Sequence, residues 1–120
     1  MMTLELMKAN HVDSQGDHFS EASLKATAKA YRNNPSLHRF VTRGFSPKPK
    51  LIPGLANLTY SCGVLLVTLK GEAEKVAKAE GLVPAAGGYM QVVDERDGVR
   101  YYDEFTLDCV ALVKPEDKVK

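Results

Sequence analysis

The strongest constraint on the fold is an alternation of residue types that runs from Val99 to Val113. The odd-numbered positions are mostly apolar, whereas the even-numbered positions begin mostly polar. The odd positions are Val99, Tyr101, Asp103, Phe105, Leu107, Cys109, Ala111 and Val113, and the even positions begin Arg100, Tyr102, Glu104, Thr106 and Asp108. A period of two predicts a β-strand with one buried face. From Val110 to Val113 both sets are apolar, so we expect this end in the middle of a sheet.

Two β-hairpins are predicted from short turns between β-rich runs. Tyr89–Glu95 precedes the long strand, and Asp97-Gly98 lies between them, a pair that readily adopts the positive φ angles of a tight turn. Leu55–Ser61 and Val64–Leu69 flank Cys62-Gly63 in the same way. Two weaker strand predictions are Leu4–Val12, whose alternation breaks at Met7, and Leu37–Thr42.

Two segments have the pattern of helices. Ser20 can cap a helix whose apolar positions recur at i, i+4 and i+7, namely Leu24, Ala28 and Tyr31, with Phe19 placed to pack on Leu24. Pro35 ends that helix because a proline disfavours the helical conformation of the preceding residue. The second helix is predicted over Glu72–Glu80, with a favourable Glu74–Lys78 pair and Gly81 as its C-terminal cap.

These elements predict one α+β domain over residues 1–120, with short tails at both ends. The expected architecture is an antiparallel sheet or a small β-barrel that carries two short helices. A length of 120 residues suits one domain with one core. Between the helices, Arg43–Gly54 holds three prolines, so we predict a loop there and not a central strand.

Charge and hydropathy exclude several classes of protein. Sixteen Lys and Arg residues against 15 Asp and Glu residues leave a net charge of +1, which disfavours nucleic-acid binding. The apolar runs are far shorter than the ~20 residues that span a bilayer, so no membrane span is expected. Glu5 and Lys8 interrupt the N-terminal apolar stretch of Met1–Val12, so no signal peptide is expected. Cys62 and Cys109 are predicted to be reduced, buried strand residues of an intracellular product.

Known chemical motifs are weak in this chain. His11, Asp13, Asp17 and His18 lack the spacing of a metal site, so Asp13–Asp17 is predicted to be a turn before the first helix. No hydrolase serine motif is present, and we expect neither a metal nor a cofactor. Pro84–Gly88 contains no serine and is predicted to be a tight bend. Arg39, Arg43, Lys48 and Lys50 make the proline-rich segment basic, which is typical of a solvated loop or of a partner contact.

Five segments, in order, resemble the prohead proteases of tailed bacteriophages, which have a herpesvirus-assemblin-like fold. Asp13–Phe19 is similar to the family's D-x-x-G-D pattern, and Ala30–Pro35 is similar to a-Y-r-x-N-P. Phe45–Pro47 through Ile52–Ala56 is similar to F-D-p…p-I-G-x-A, with one extra residue. Leu82–Gly88 falls where the family has the S-x-G motif of its nucleophile, and Thr106–Pro115 is similar to l-x-E-V-S-L-V-x-x-P. The resemblance covers roughly residues 10–117.

The chain departs from this family at the catalytic positions. Ala85 and Ala86 stand where the active proteases have a serine before the glycine, and Val41–Phe45 lacks the family's histidine. His38 lies nearby but close to Pro35. Alanine cannot attack a carbonyl group. The resemblance therefore implies a catalytically inactive relative, with Ala85 and Ala86 at a degenerate catalytic position.

By analogy, the resemblance implies a bacteriophage virion protein that is assembled in the host cytoplasm. The first hypothesis is a capsid cement or decoration protein that binds the major capsid protein, with a second copy of itself as a further candidate partner and no contact to nucleic acid or membrane. The expected contact residues are Arg43, Phe45, Lys48, Lys50, Tyr101 and Tyr102. Two alternatives remain open: an active maturation protease that uses Ser61 or Ser46 with His38, and a scaffold that leaves before maturation.

Overall fold

A computed structural model describes residues 1–33, 41–45 and 51–120 of the chain. It confirms the predicted α+β class. The helices are α1 (Glu21–Asn33), α2 (Gly71–Glu80) and a short 3-10 helix (Pro115–Asp117). The strands are β1 (Met2–Lys8), β2 (Asp17–Phe19), β3 (Val41–Arg43), β4 (Leu51–Ile52), β5 (Leu55–Ser61), β6 (Val64–Leu69), β7 (Val83–Arg96) and β8 (Val99–Val113).

The described strands form two sheets and do not close into a barrel. The smaller sheet is antiparallel, in the order β1-β6-β5. In the larger sheet, β8 pairs with antiparallel β7 along one side and with parallel β2 and β3 along the other. Antiparallel β4 continues that sheet beyond β3. Because two pairings are parallel, this sheet is mixed, and the apolar end of β8 lies in its interior as predicted.

Both predicted hairpins are present, with positive φ at each turn residue. Cys62 and Gly63 have φ of 50° and 82°, and Asp97 and Gly98 have φ of 52° and 79°. Two consecutive positive φ angles suit the right-handed twist of the flanking strands. Cys62 therefore lies in a turn and is exposed, which corrects the prediction of a buried strand thiol.

The glycine-rich stretch is strand and not the predicted bend. β7 begins at Val83, and the stretch from Pro84 to Gly88 pairs with β8. The register shifts between Gly87 and Gly88, which marks a β-bulge. A Cβ at Gly88 would overlap the backbone carbonyl oxygen of Thr106 on β8. Glycine is therefore needed here for the close approach of two strands, and the chain does not turn.

The buried face of β8 changes partway along the strand. Phe105 and Leu107 are buried as the alternation predicts, but nearer the turn Tyr102 is 4% exposed and Tyr101 is only half-buried. Opposite this point the pairing passes from Met90↔Phe105 to Val92↔Tyr102, so β8 contributes one extra residue. A one-residue slip moves each side chain to the other face. The bulge thus places Tyr102 in the core.

The helices follow their predicted caps and faces. Ser20 Oγ accepts a hydrogen bond from the Ser23 N–H at 3.1 Å, and the predicted face of α1 is buried. In α2, which begins one residue earlier than predicted, Lys78 and Glu74 are paired at 3.5 Å. Gly81 ends α2 with φ 65°. Apolar side chains from both helices and both sheets form one core cluster.

The described parts of Arg43–Gly54 include strand residues. Arg43 ends β3, which lies between β8 and β4, and Leu51–Ile52 forms β4 at the edge of the sheet. Arg43 and Leu51–Ile52 are therefore in strands, which corrects the loop prediction at these positions, whereas Gly44, Phe45, Pro53 and Gly54 lie outside the strands. Residues 46–50, with Lys48 and Lys50, lie outside the described residues, as does most of the predicted strand Leu37–Thr42. None of the helices in the described residues has the length and hydropathy of a membrane span.

Candidate functional site

A cleft of about 380 Å³ lies between β1, the turn before β2, β7 and the C-terminal residues. Its described lining is Glu5, Leu6, Met7, Lys8, His11, Asp13, Gln15, Asp17, Phe19, Phe45, Ala85, Ala86, Phe105, Asp117, Lys118, Val119 and Lys120. The cleft draws together segments that are far apart in the sequence. It also contains Ala85 and Ala86, at which the resemblance to prohead proteases implies a degenerate catalytic position.

One side of the cleft is apolar. Leu6, Phe19 and Phe105 are 3%, 6% and 7% exposed. These side chains therefore belong to the core, and only a small part of each lines the cleft. Phe19 and Phe105 meet edge-to-face at 5.5 Å between ring centroids. Phe45 lies over Gly87, where a Cβ would come within 3.0 Å of its ring, yet 62% of Phe45 is exposed. This side can accommodate an apolar side chain.

Another part of the lining is the turn from Asp13 to Asp17. Asp13 Oδ1 accepts the N–H groups of Gln15 and Asp17, both at 2.9 Å, which confirms the predicted turn. Asp17 is 7% exposed, and its Oδ1 accepts from the Tyr102 hydroxyl at 3.1 Å and the Arg100 Nε at 2.8 Å. These contacts attach β2 to β8. They hold this wall of the cleft in place.

Burial of two tyrosines predicts that the domain loses stability in alkali. Burial raises the pKa of Tyr31, and burial followed by the hydrogen bond to Asp17 raises the pKa of Tyr102. Both phenols therefore keep their protons to higher pH in the folded chain than in the unfolded chain, where the pKa is about 10. Their contribution is fully present below about pH 10 and is lost as pH rises above it. Urea midpoints at pH 8 and pH 11 should show this loss.

The matched variants are Tyr31→Phe and Tyr102→Phe, singly and combined. Each removes one titrating phenol, so the double variant should lose less stability than the parent chain between the two pH values. An equal loss in the parent and the double variant would contradict this assignment.

The C-terminal residues lie across the cleft and are tied to it by polar contacts. Lys118 Nζ donates to the backbone carbonyl of Glu5 at 2.6 Å, and burial lowers the pKa of Lys118. The Lys120 N–H donates to Ser14 Oγ at 3.1 Å. His11 Nε2 lies 3.1 Å from the Lys120 carbonyl oxygen and can donate to it. Residues 117–120 thus occupy part of the cleft.

The described lining of the cleft contains no serine, threonine or cysteine. Ala85 and Ala86 both lie in β7 and are half-buried. Ser61, one nucleophile of the protease alternative, ends β5 and is absent from that lining; its hydroxyl lies 3.7 Å from Cys62 Sγ. His38 and Ser46 lie outside the described residues. Nor does any group of three His, Cys, Asp or Glu residues among residues 1–33, 41–45 and 51–120 suit a metal ion.

Among the described residues of the predicted contact set, exposure differs from one residue to the next. Phe45 is exposed, and Arg43 pairs with Glu80 on the surface. Tyr101 is half-buried, with its ring 4.9 Å from that of His18 and the Arg96 guanidinium 4.6 Å from its centroid. Tyr102 is buried and bonded to Asp17, so it is not available to a partner, which corrects that prediction.

Two features of the site were missed by the sequence analysis. One is Asp17 as a buried anchor, since the motif around it indicated only a turn. The other is the seating of residues 117–120 in the cleft, because Lys118-Val119-Lys120 carries no motif. The alternation of Lys118 and Lys120 about an apolar Val119 is the one available signal for an extended segment.

Comparisons with known proteins identify the fold. No family model matches the chain, and no curated protein sequence matches it. Among solved structures, the bacteriophage T4 capsid assembly protease gp21 superposes with a TM-score of 0.69 at 15% sequence identity. The match covers 94% of this chain and 80% of the T4 protein. The chain therefore has a fold similar to that of a phage capsid assembly protease, as the resemblance to prohead proteases predicts.

Proposed function

We propose that this chain is a non-enzymatic bacteriophage capsid protein that binds the major capsid protein and stabilises its lattice as a cement or decoration protein. The fold shared with the T4 capsid assembly protease supports a role at the capsid. A fold alone does not determine function, so the rest of this proposal depends on the chemistry of the cleft.

The observation that carries the proposal is the pair of alanines in the cleft. Covalent hydrolysis needs a nucleophile with a base within hydrogen-bond reach. At the position where the resemblance places the serine of the prohead proteases, Ala85 and Ala86 offer only methyl groups, and the rest of the described lining supplies no hydroxyl or thiol. His11 also lines the cleft, where its Nε2 lies 3.1 Å from the Lys120 oxygen.

Exposed apolar side chains support a protein partner near the segment Arg43–Gly54. Phe45 is 62% exposed and Leu51 is 54% exposed, at the two described ends of that segment. Exposed aromatic side chains are frequent anchors of protein interfaces. Arg43 lies two positions before Phe45 in the sequence, and its surface pair with Glu80 is worth little in water, so the guanidinium can exchange partners. Repetition on a lattice would make such modest contacts effective.

The test is the composition of purified mature particles. We expect this chain at a copy number comparable to that of the major capsid protein, with the capsid protein processed normally in its absence. Phe45→Asp should lower the copy number at least tenfold, because burial of a carboxylate without a partner would replace an aromatic anchor. Quantitative gel or mass-spectrometric stoichiometry measures this.

Val92→Asp is the matched control. Val92 is 43% exposed on β7, so the substitution also removes an exposed apolar side chain without touching the proposed surface. It should incorporate normally. Absence of the parent chain from mature particles would indicate a transient scaffold, and cleavage of the capsid precursor by the purified chain would indicate a protease. Either outcome refutes the proposed function.

A further inference from the structure

Phe45 is exposed, but the backbone just before it is bonded to the sheet. The Gly44 N–H donates to the Leu112 carbonyl of β8 at 2.9 Å, directly after the last residue of β3. The Thr42 hydroxyl, on a side chain that is only 1% exposed, donates to the Gly44 carbonyl at 3.0 Å. That carbonyl belongs to the peptide group that joins Gly44 to Phe45. The two bonds therefore fix the backbone from which the Phe45 side chain projects.

The Phe45 ring lies against a position of β7 that has no side chain. A Cβ at Gly87 would come within 3.0 Å of Phe45 Cε1 and within 3.7 Å of Phe45 Cδ1. One edge of the ring therefore occupies the space that a side chain at Gly87 would fill. The same Cβ would come within 2.8 Å of Cys109 Sγ, so a methyl group there could not simply turn away from the ring. The absence of a side chain at Gly87 thus gives the ring its place on the sheet.

A side chain that is ordered before binding contributes more to an interface than a mobile one. Immobilising one side chain on association weakens binding about twofold to tenfold, through the entropy that is lost. Phe45 has given up part of that freedom in the unbound chain, because its backbone is bonded to β8 and Thr42 and its ring lies against Gly87. Thr42 is buried, so any effect of its hydroxyl on a partner must pass through Phe45.

We propose that Thr42 and Gly87 are positioning residues that hold Phe45 in its exposed place as an anchor ordered in advance for the partner protein. Thr42 acts through the peptide group before Phe45, and Gly87 acts through the space that it leaves for the ring. The inference rests on the proposed function, in which Phe45 contacts the major capsid protein. It adds two residues that raise the affinity of that contact by fixing Phe45 before the partner arrives.

The position of Phe45 is tested in the free chain by fluorine NMR with para-fluorophenylalanine. The chain has four phenylalanines, and Phe45→Leu identifies the signal of Phe45. In Thr42→Val and in Gly87→Ala this signal should move towards its position in the urea-unfolded chain, while unchanged signals of the buried Phe19 and Phe105 show that the fold is kept. Thr42→Ser retains the hydroxyl and should keep the parent signal. The same Phe45 signal in the parent, Thr42→Val and Gly87→Ala chains would overturn the proposal.

The effect on binding is measured as the copy number in purified mature particles. Thr42→Val should lower it about fivefold, whereas Thr42→Ser should leave it unchanged. In a Phe45→Ala background, Thr42→Val should cause no further loss, because the side chain that it positions is absent. An equal further loss in that background would indicate a merely structural role for Thr42, and this result or an unchanged copy number in Thr42→Val would overturn the proposal. Absence of the parent chain from particles would refute the proposed function and this role in binding with it, whereas the fluorine signals test the position of Phe45 in either case.

Discussion

Replacement of Gly54 by alanine is expected to destabilise the domain by about 3 kcal/mol or more, since it combines steric overlap with backbone strain. Gly54 has φ 137°, a conformation that residues with a side chain rarely adopt. A Cβ there would overlap the Lys70 carbonyl oxygen and come within 2.8 Å of the Ala73 Cβ. Both neighbours belong to the start of α2. Urea unfolding followed by circular dichroism measures the loss.

The reason for so large an effect is that the backbone around Gly54 joins β5 to α2. The Gly54 carbonyl accepts the Lys70 N–H at 2.8 Å, and the Pro53 carbonyl accepts the Ala73 N–H at 3.0 Å. Displacement of Gly54 would break these bonds and move the first turn of the helix. The atoms that would overlap the new methyl group are mostly backbone, so a rotamer change cannot relieve the clash.

Gly63→Ala separates overlap from strain. Gly63 has φ 82°, and a Cβ there would meet nothing within 4 Å. This variant should lose only about 1 kcal/mol, the cost of a left-handed conformation for a residue with a side chain. Equal losses in the two variants would mean that backbone conformation alone requires glycine at position 54.

Local signals predicted the elements of this fold well. The caps at Ser20 and Gly81 and the turns at Cys62-Gly63 and Asp97-Gly98 depend on neighbouring residues only, and each was confirmed. The wrong predictions concern segments whose structure is determined by pairing with strands that are distant in the sequence. Pro84–Gly88 looks like a bend because proline and glycine weaken strands, but pairing with β8 overrides that preference.

The arrangement of the cleft residues was less predictable from the sequence, because it depends on β-bulges and on contacts between distant parts of the chain. Tyr101 and Tyr102 are adjacent, and only the extra residue in β8 decides that Tyr102 is the buried one. Lys118 reaches Glu5 across 113 positions of sequence, a contact that no local pattern specifies. Ala85 and Ala86 were placed by resemblance, and the structure adds that both line the cleft.

Replacement of Asp17 by alanine should cost about 2–3 kcal/mol of folding free energy and weaken the wall of the cleft. The carboxylate is the acceptor for the buried Tyr102 hydroxyl and for Arg100 Nε. In the Asp17→Ala chain the Tyr102 side chain stays buried, but its hydroxyl loses its hydrogen-bond acceptor. Arg100 is 42% exposed and can be hydrated, so most of the cost should come from Tyr102 and the lost anchor between β2 and β8. The urea midpoint of the variant measures the loss.

A double-mutant cycle tests that division. Tyr102→Phe alone should cost less than Asp17→Ala, because Asp17 keeps its bond to Arg100. In the Asp17→Ala/Tyr102→Phe chain no buried hydroxyl is left without a partner, so the double variant should be about 1 kcal/mol more stable than the sum of the single losses predicts. Asp17→Asn retains an acceptor oxygen and should fall between the parent and Asp17→Ala. Strict additivity would instead assign the loss to Arg100 and the Asp13–Asp17 turn, and the Tyr102 hydroxyl would then have no part in holding the cleft wall.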